Sequence, residues 1–570
     1  MSFPRGAFVA LLCVLYACAV SAASQVTSIT ASVACAAGSS PHAALSCRLS
    51  SGHANAGGTA WGTFNDTIAQ NGWSQLEVWT QRADAASLRE TAASCGVDAA
   101  RILAFGVGCV EGALTQARIF QMVTNAKANL FPGGVLPTVA KLYLGVQVAA
   151  VRGGVAAHYK PIEMPGGHAT HARGSSSSSS SVETRYWQGM GVVMAHFDGL
   201  AAAYNATAPA GSNITDLELY AASSADDLGT LVNLATARSV ADSKRILSKL
   251  VGAEVTAAHV EELSRVPLST PSVDFLGCSA YVKVLPSSSG KTEDGAASPS
   301  MLVSHATWSN MYVVGGGSWV RAVSRVGRTL RWEMLRTYKM FHLAYAPAGT
   351  VSFSSYPGVM HMRGRLVPFG VRVVTGWWSL WCGGPGFLAS GDDFYTAQDT
   401  QLAVVETTNN IYNNSLYEHL DPFAAFSWQR AIAATWFGTG PADWAALFGF
   451  QNSGTYNCNW MATRLDGTVP SPSALPVCWV VVAVAGRGCS LCGVMLCGME
   501  WPASTDYYVE LEQVPGALLC ERVLAVWDKW NTASLRKRAR CRPRGVQGLV
   551  RAACYGRLHC VVQHSSLRGA

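Results

Sequence analysis

The pattern with the clearest chemical meaning is Leu276-Gly277-Cys278-Ser279, in which a glycine precedes a cysteine at the start of a strand-like segment. Glycine can adopt strained backbone conformations that expose its carbonyl, so the thiol of Cys278 can attack the preceding peptide bond. Hydrolysis of the thioester would free an N-terminal Cys278, whose α-amine, with a reference pKa of about 7.7 to 8, can act as general base toward the thiol. The alternative is a buried or disulfide-bonded cysteine.

Signatures of several other enzyme classes are absent from the sequence. It contains no G-x-S-x-G, no H-E-x-x-H and no G-x-x-x-x-G-K-[ST] motif, and GVGCVEG has one residue too many for the dinucleotide fingerprint. No Cys or clustered carboxylates accompany His158, His168 and His171, and Cys489-x-x-Cys492 has no second pair at usable spacing. We therefore predict no metal and no other cofactor.

The secondary structure around Cys278 is predicted from the alternation of apolar and polar residues. SVDFLGCSAYVKVLP and MLVSHATWSNMYVV read as strands joined by a polar stretch, so they predict a β-hairpin with Cys278 at its start. TVSFSSYP and QLAVVETT predict further strands, whereas LRWEMLRTYKMFHLAY and FSWQRAIAATWFG predict helices. With helical patterns over residues 70–160 and from Tyr186 to Val251, these segments predict a layered mixed α/β body whose strands are concentrated in the second half.

The N-terminus indicates the secretory route. Residues 1–22 carry one early charge, Arg5, then an apolar run and small residues suited to signal-peptidase cleavage. Sequons for N-glycosylation occur at Asn65, Asn205, Asn213 and Asn413. In an oxidising compartment Cys35 with Cys47, or Cys95 with Cys109, could form local disulfides, although sequence does not fix the pairing.

Charge is distributed unevenly along the chain. The formal net charge is +7, yet residues 535–570 contain nine Lys or Arg and no acidic residue, so the remainder is close to neutral. A nucleic-acid-binding surface is therefore not supported. The basic tail predicts a solvated extension, with peripheral contact to an anionic membrane as the alternative. Residues 158–183, rich in Ser, Gly and Pro, predict a surface linker and a protease site.

From Cys278 onward the chain resembles the phospholipase B-like family of N-terminal nucleophile hydrolases. The resemblance rests on GCSAYVKVLP, LVSHATWSN, VSFSSYPG, SGDDFY, LAVVETT, FQNSGTYNCNW and LEQVPG, and upstream on NGWSQLEVWT and YWQGMGVVMAHFDGL. It implies an α+β fold, an αββα sandwich with an N-terminal helical or mixed pro-region (23–277), and a hydrolase chain (278–534) that begins at the nucleophile.

The resemblance also implies roles for individual residues. Cys278 matches the nucleophile and Gly277–Cys278 the cleavage site. His305, Thr307, Trp308 and Asn310 match the adjacent block, in which His305 could orient the nucleophile or donate to substrate. Asn452 and Asn457 match the active-site Asn region, where an amide can serve as oxyanion donor, and which of the two does so stays open. Four further residues in matching blocks are either structural or catalytic: Asp392, Asp393, Glu406 and Thr407.

Two segments depart from the family pattern. Residues 359–390 and 477–501 look inserted, and beyond LEQVPG the resemblance fades into the basic tail. The whole sequence is interpreted as a secreted or lysosomal hydrolase that cleaves an ester or amide bond in a lipid or an acylated small molecule. The alternative is a non-catalytic secreted or lysosomal binding glycoprotein of the same fold with an uncleaved Gly277–Cys278 bond. Nothing in the sequence indicates the oligomeric state.

Overall fold

Strands from both ends of the chain meet in one sheet in the computed structural model of the protein. The structure describes residues 26–35, 45–52, 58–67, 73–82, 85–162, 180–266, 277–284, 301–308, 336–355, 394–408, 411, 413–465, 493–497, 508–514, 517–520 and 560–564. The predicted signal peptide, most of the Ser-rich linker, residues 359–390 and most of the basic tail lie outside these ranges.

The elements follow in chain order. The strands are β1 (Val26–Cys35), β2 (Leu45–Ser51), β3 (Ala60–Thr67), β4 (Trp73–Thr80), β5 (Gly277–Val284), β6 (Met301–Trp308), β7 (Arg336–His342), β8 (Thr350–Ser355), β9 (Phe394–Ala397), β10 (Leu402–Thr408), β11 (Cys458–Arg464), β12 (Gly493–Cys497), β13 (Tyr508–Val514), β14 (Ala517–Cys520) and β15 (Cys560–His564). The helices are α1 (Ala86–Cys95), α2 (Ala99–Leu114), α3 (Gln116–Leu130), α4 (Thr138–His158), α5 (Val182–Thr207), α6 (Asp216–Ser223), α7 (Ala225–Ala237), α8 (Val240–Val251), α9 (Ala257–Ser264), α10 (Ser427–Phe437) and α11 (Pro441–Gly449).

The main sheet has eleven strands in the order β14-β13-β11-β10-β9-β8-β7-β4-β3-β1-β2. All its pairings are antiparallel except that of β4 with β7, which is parallel and joins the N-terminal strands to those that follow β6. The coarse α+β class predicted from the sequence is therefore confirmed. Ten of the fifteen described strands lie in the second half, as predicted, and four strands that precede Gln81 add to them.

Strand β7 corrects a prediction. LRWEMLRTYKMFHLAY was expected to be helical, yet Arg336–His342 is a strand near the centre of the sheet. Thr337, Lys339 and Phe341 alternate as buried residues on one face. Two of these three residues are polar, so the hydrophobicity of the sequence does not show which positions are buried. The predicted strands β8 and β10 and the predicted helix α10 are confirmed.

Helices α2 and α5 cover one face of the sheet and lie exceptionally close together. A Cβ at Gly108 of α2 would lie 2.0 Å from the carbonyl oxygen of His196 in α5, and a Cβ at Gly199 would lie 2.0 Å from the carbonyl oxygen of Phe105. Side chains larger than hydrogen are therefore excluded at this crossing.

Among the described residues no single helix is long and apolar enough to cross a membrane. Only the pair α1 and α2, bent by 99°, passes that test together.

Two disulfides fix the N-terminal strands to helices. Cys35 of β1 pairs with Cys95 at the end of α1, and Cys47 of β2 pairs with Cys109 in α2. The two local bridges considered from the sequence are therefore wrong, because the fold places each strand cysteine beside a helix cysteine about sixty residues away.

Segments predicted to be an insertion and a tail also contribute a small sheet, in which β12 pairs with β15.

Substitution of Gly108 tests the helix crossing. Gly108→Ala should lower the free energy of unfolding by about 1–3 kcal/mol or more, because the new methyl group meets backbone that cannot yield. The matched control is Gly145→Ala in α4, where the exposed glycine has no atom within 4 Å of a built Cβ. That change should raise stability by about 0.5–1 kcal/mol. Urea unfolding measures both, and equal effects would contradict the close crossing.

Candidate active site

The predicted hairpin around Cys278 is confirmed. Strands β5 and β6 pair antiparallel, with Gly277 opposite Trp308, Cys278 opposite Thr307 and Ala280 opposite His305. Directly opposed residues of an antiparallel pair share a face, and faces alternate along each strand. Positions 278, 280, 305 and 307 therefore lie on one face of the hairpin, and position 308 lies on the other.

The hairpin face that carries position 278 includes one residue of described burial. Val303 pairs with Val282 on that same face, and it is fully buried. The hairpin lies against β10 of the main sheet. On β9, β10 and β11, Phe394, Val405 and Met461 are buried on the sheet face opposite α2 and outside the main core cluster. Position 278 therefore lies on the hairpin face that also carries the buried Val303.

Asn457 immediately precedes β11, which pairs with β10 so that Thr408 lies opposite Cys458. Asn457 is 4% exposed, and among the described residues neither its Nδ2 nor its Oδ1 has a hydrogen-bond partner. A buried amide without partners costs free energy, and of the described buried side chains with two polar atoms Asn457 is the one in which both lack a partner. Asn457 thus offers a free N–H donor beside the strand against which the hairpin lies.

Asn452 has a different role in the same loop. Its Oδ1 accepts a hydrogen bond from the backbone N–H of Gly454 at 2.9 Å, and the residue is only half-buried. This short side-chain to backbone bond shapes a turn in which Gly454 has a φ of +71°. The structure therefore distinguishes the two asparagines, with Asn452 engaged in the loop and Asn457 carrying the unpartnered amide.

Buried polar groups hold the loop on the helix side. The hydroxyl of Tyr456, whose φ is +51°, donates to Oε1 of the fully buried Glu406 at 3.2 Å. Arg430 of α10 is also fully buried, and its guanidinium donates to the Phe448 carbonyl at 2.6 Å and to Ser453 Oγ at 3.3 Å. Burial lowers the pKa of Arg430 to about 10, so the guanidinium stays charged at neutral pH. Glu406 thereby has an observed structural contact.

For several other residues predicted from the sequence, the structure gives only the strand position or no position. Thr307, Trp308 and Thr407 are placed only by strand register, whereas Asn310, Asp392 and Asp393 lie outside the described residues. Asn205 and Asn213 are exposed, and Asn65 and Asn413 are half-buried. Glycosylation at these four residues stays a prediction.

A second buried polar cluster was not predicted from the sequence. Lys339 Nζ lies 2.6 Å from Glu111 Oε1, and His196 Nε2 lies 3.4 Å from Glu111 Oε2, with all three side chains at most 1% exposed. Burial raises the pKa of Glu111, but Lys339 and His196 outweigh it and hold the pKa below its usual value. Burial lowers the pKa of Lys339 although Glu111 opposes this.

This cluster is structural. Lys339 belongs to the sheet face covered by α2 and α5, the face opposite the hairpin, and no member of the cluster is exposed to a substrate. It connects β7 to both helices at the point where they cross. Its partners lie up to 228 residues apart in sequence, which explains why no local pattern revealed them.

The similarity to known proteins covers most of the chain. The family profile described as Phospholipase B matches residues 60–315 and 370–523. Phospholipase B-like protein G of Dictyostelium discoideum is 27% identical, over 75% of this chain and 57% of the relative. Phospholipase-B 81 of Drysdalia coronoides is 23% identical over 71% and 54%, and Phospholipase B-like 1 of Bos taurus is 23% identical over 72% and 54%. The chain spans little more than half the length of these curated relatives.

The buried ion pair has a measurable consequence. Lys339→Met should lower the free energy of unfolding by about 3–5 kcal/mol, because it leaves the Glu111 charge buried without its cation. The matched control is Lys244→Met, whose partner Glu254 lies 3.9 Å away and is 81% exposed. Lys244→Met should lower the free energy of unfolding by less than about 1 kcal/mol. Guanidinium unfolding of both variants is the measurement, and a loss at Lys339 as small as that at Lys244 would show that the pair contributes little.

Proposed function

Since the chain belongs to the phospholipase B family, we propose that it is an acyl hydrolase that cleaves an ester or amide bond in a lipid or an acylated small molecule. The thiol of Cys278 is the nucleophile, and its own α-amine is the general base. The observation that carries the proposal is the buried, unpartnered amide of Asn457 beside the strand against which the Cys278 hairpin lies.

Maturation begins at the Gly277–Cys278 bond. Sγ of Cys278 attacks the Gly277 carbonyl carbon, the C–N bond breaks, and the nitrogen leaves as the α-amine of Cys278. Water then hydrolyses the resulting thioester, which releases the Gly277 carboxylate and returns the free thiol. The amine and the thiol that catalysis requires are thereby generated in one residue.

The same residue performs turnover. The α-amine takes the thiol proton, and the thiolate attacks the carbonyl carbon of the substrate. Negative charge develops on the carbonyl oxygen and is stabilised by the Nδ2–H of Asn457, a preorganised donor in a site from which water is largely excluded. The amine returns the proton to the leaving group, and water hydrolyses the acyl-thioester. His305, two ladder positions from Cys278, orients the nucleophile.

The proposed architecture is the αββα sandwich of N-terminal nucleophile hydrolases. Support comes from the main sheet, from α2 and α5 on one face and from the β5–β6 hairpin on the other. The secretory start, the two disulfides and the sequons support a secreted or lysosomal protein, because disulfides persist in oxidising compartments. The substrate is a lipid or an acyl-amide, and peripheral contact of the basic tail with an anionic membrane stays the alternative to a solvated tail.

Removal of the nucleophile tests maturation. Cys278→Ala should remain a single chain across the Gly277–Cys278 bond, because an alanine has no thiol to accept the acyl group. The matched control Ser279→Ala should be cleaved normally, since it removes the neighbouring hydroxyl and leaves the thiol. Intact mass and N-terminal sequencing of secreted protein provide the measurement. Cleavage of Cys278→Ala at that bond would assign the cut to another protease, and an intact bond in the wild type under all conditions would favour the non-catalytic binding glycoprotein.

The two asparagines provide a matched pair for the oxyanion donor. Asn457→Ala should lower kcat about 10²–10³-fold with little change in KM, the effect typical of a donor that acts in the transition state. Asn452→Ala removes a turn-shaping bond and should affect stability more than kcat. Steady-state kinetics on an acyl-amide and a phospholipid substrate measure both variants. Equal kcat losses would mean that the amide of Asn457 has no special part in catalysis.

A further inference from the structure

Helix α7, which precedes Cys278 in the chain, is directly bonded to the loop that presents Asn457. Asp227 of α7 is 2% exposed, and its Oδ1 accepts hydrogen bonds from the Thr455 hydroxyl at 2.6 Å and from the Ser427 backbone N–H at 3.1 Å. The Ser427 hydroxyl in turn donates to the Thr455 carbonyl at 2.7 Å. One buried carboxylate therefore connects the loop and the first residue of α10.

Thr230 lies three residues further along the same helix, on the same face. Its Oγ1 accepts a hydrogen bond from the backbone N–H of Tyr456 at 3.0 Å, and its side chain is 5% exposed. Asp227 and Thr230 thus bind two consecutive loop residues, Thr455 and Tyr456. The next residue is Asn457.

The loop needs such bonds because its backbone is strained. Tyr456 has a φ of +51°, a left-handed conformation that is unfavourable for a bulky residue and that persists only where surrounding contacts enforce it. The bond from its N–H to Thr230 and the bond from its hydroxyl to Glu406 fix both ends of this residue. The peptide unit that follows, which carries Asn457, has its direction set by this conformation.

We propose that Asp227 and Thr230 are positioning residues that hold the 452–457 loop so that the Asn457 amide is fixed as the oxyanion donor. This inference rests on the proposed function, in which Asn457 stabilises the tetrahedral intermediate. Both positioning residues precede the Gly277–Cys278 bond, and the loop follows it. The N-terminal chain is therefore a working part of the active site and is required after cleavage.

Two substitutions at Thr230 test the inference. Thr230→Val keeps the shape and removes the acceptor, so kcat should fall at least about tenfold while KM changes less than about threefold. Thr230→Ser keeps the hydroxyl and should restore kcat close to that of the wild type. Asp227→Leu, which removes the acceptor oxygen, should lower kcat in the same way. Asp98→Ala, which removes the N-cap of α2 away from the loop, is the control for general destabilisation and should leave kcat unchanged.

Double variants separate positioning from a purely structural role. If Thr230 acts through Asn457, the variant Thr230→Val/Asn457→Ala should have a kcat no lower than that of Asn457→Ala alone. The effects of substitutions at two residues that act in one mechanism are not additive. Hydrogen exchange should show faster exchange of the Tyr456 amide in Thr230→Val than in Thr230→Ser. Additive kcat losses, or unchanged exchange at Tyr456, would overturn the positioning role.

The outcomes distinguish this inference from the proposed function. A wild-type enzyme that hydrolyses acyl substrates, together with a Thr230→Val variant of full kcat, overturns the positioning role alone. A wild type that stays uncleaved and hydrolyses neither an acyl-amide nor a phospholipid overturns both.

Discussion

The parallel pairing of β4 with β7 is the constraint on which the rest of the structure depends. It joins the four N-terminal strands to the strands that follow the hairpin, and without it the main sheet would be two separate pieces. Buried polar contacts fix its register, including Ser74 with Thr337 at 2.8 Å and the Thr80 hydroxyl donating to the His342 carbonyl at 3.0 Å. A one-residue slip would turn Lys339 away from Glu111, because side chains alternate between faces.

Buried polar side chains meet where α2 and α5 cross over that sheet. Lys339 Nζ lies 2.6 Å from Glu111 Oε1, and His196 Nε2 lies 3.4 Å from Glu111 Oε2. In the loop before β11, the buried Asn457 has no partner for either polar atom of its amide among the residues that the structure describes. A buried amide without partners costs free energy, so this arrangement calls for an explanation, and the oxyanion role proposed above would supply one.

Local patterns were sufficient for the part of the site that lies within one hairpin. The strands around Cys278 alternate over two short segments separated by polar residues, so both were predictable, as were β8, β10 and α10. Features that depend on residues far apart in the sequence were not predictable. Strand β7 was misread because its buried positions include Lys339, whose partner is 228 residues away, and β1 to β4 were missed in a region read as helical and mixed. The disulfides cross between strands and helices for the same reason, and Asp227 is recognisable only once α7 lies beside the 452–457 loop.

The distribution of covalent links bears on what cleavage at Gly277–Cys278 would do to the molecule. Both disulfides of the described residues lie before that bond, so neither connects the two chains that a cut would produce. Cohesion would then depend on the β4–β7 pairing, on the shared core beneath the sheet and on the bonds from α7 to the loop. These contacts are buried, and several include polar groups whose loss would leave a partner unsatisfied, so separation of the chains would be strongly unfavourable. The two chains would therefore stay together after such a cleavage.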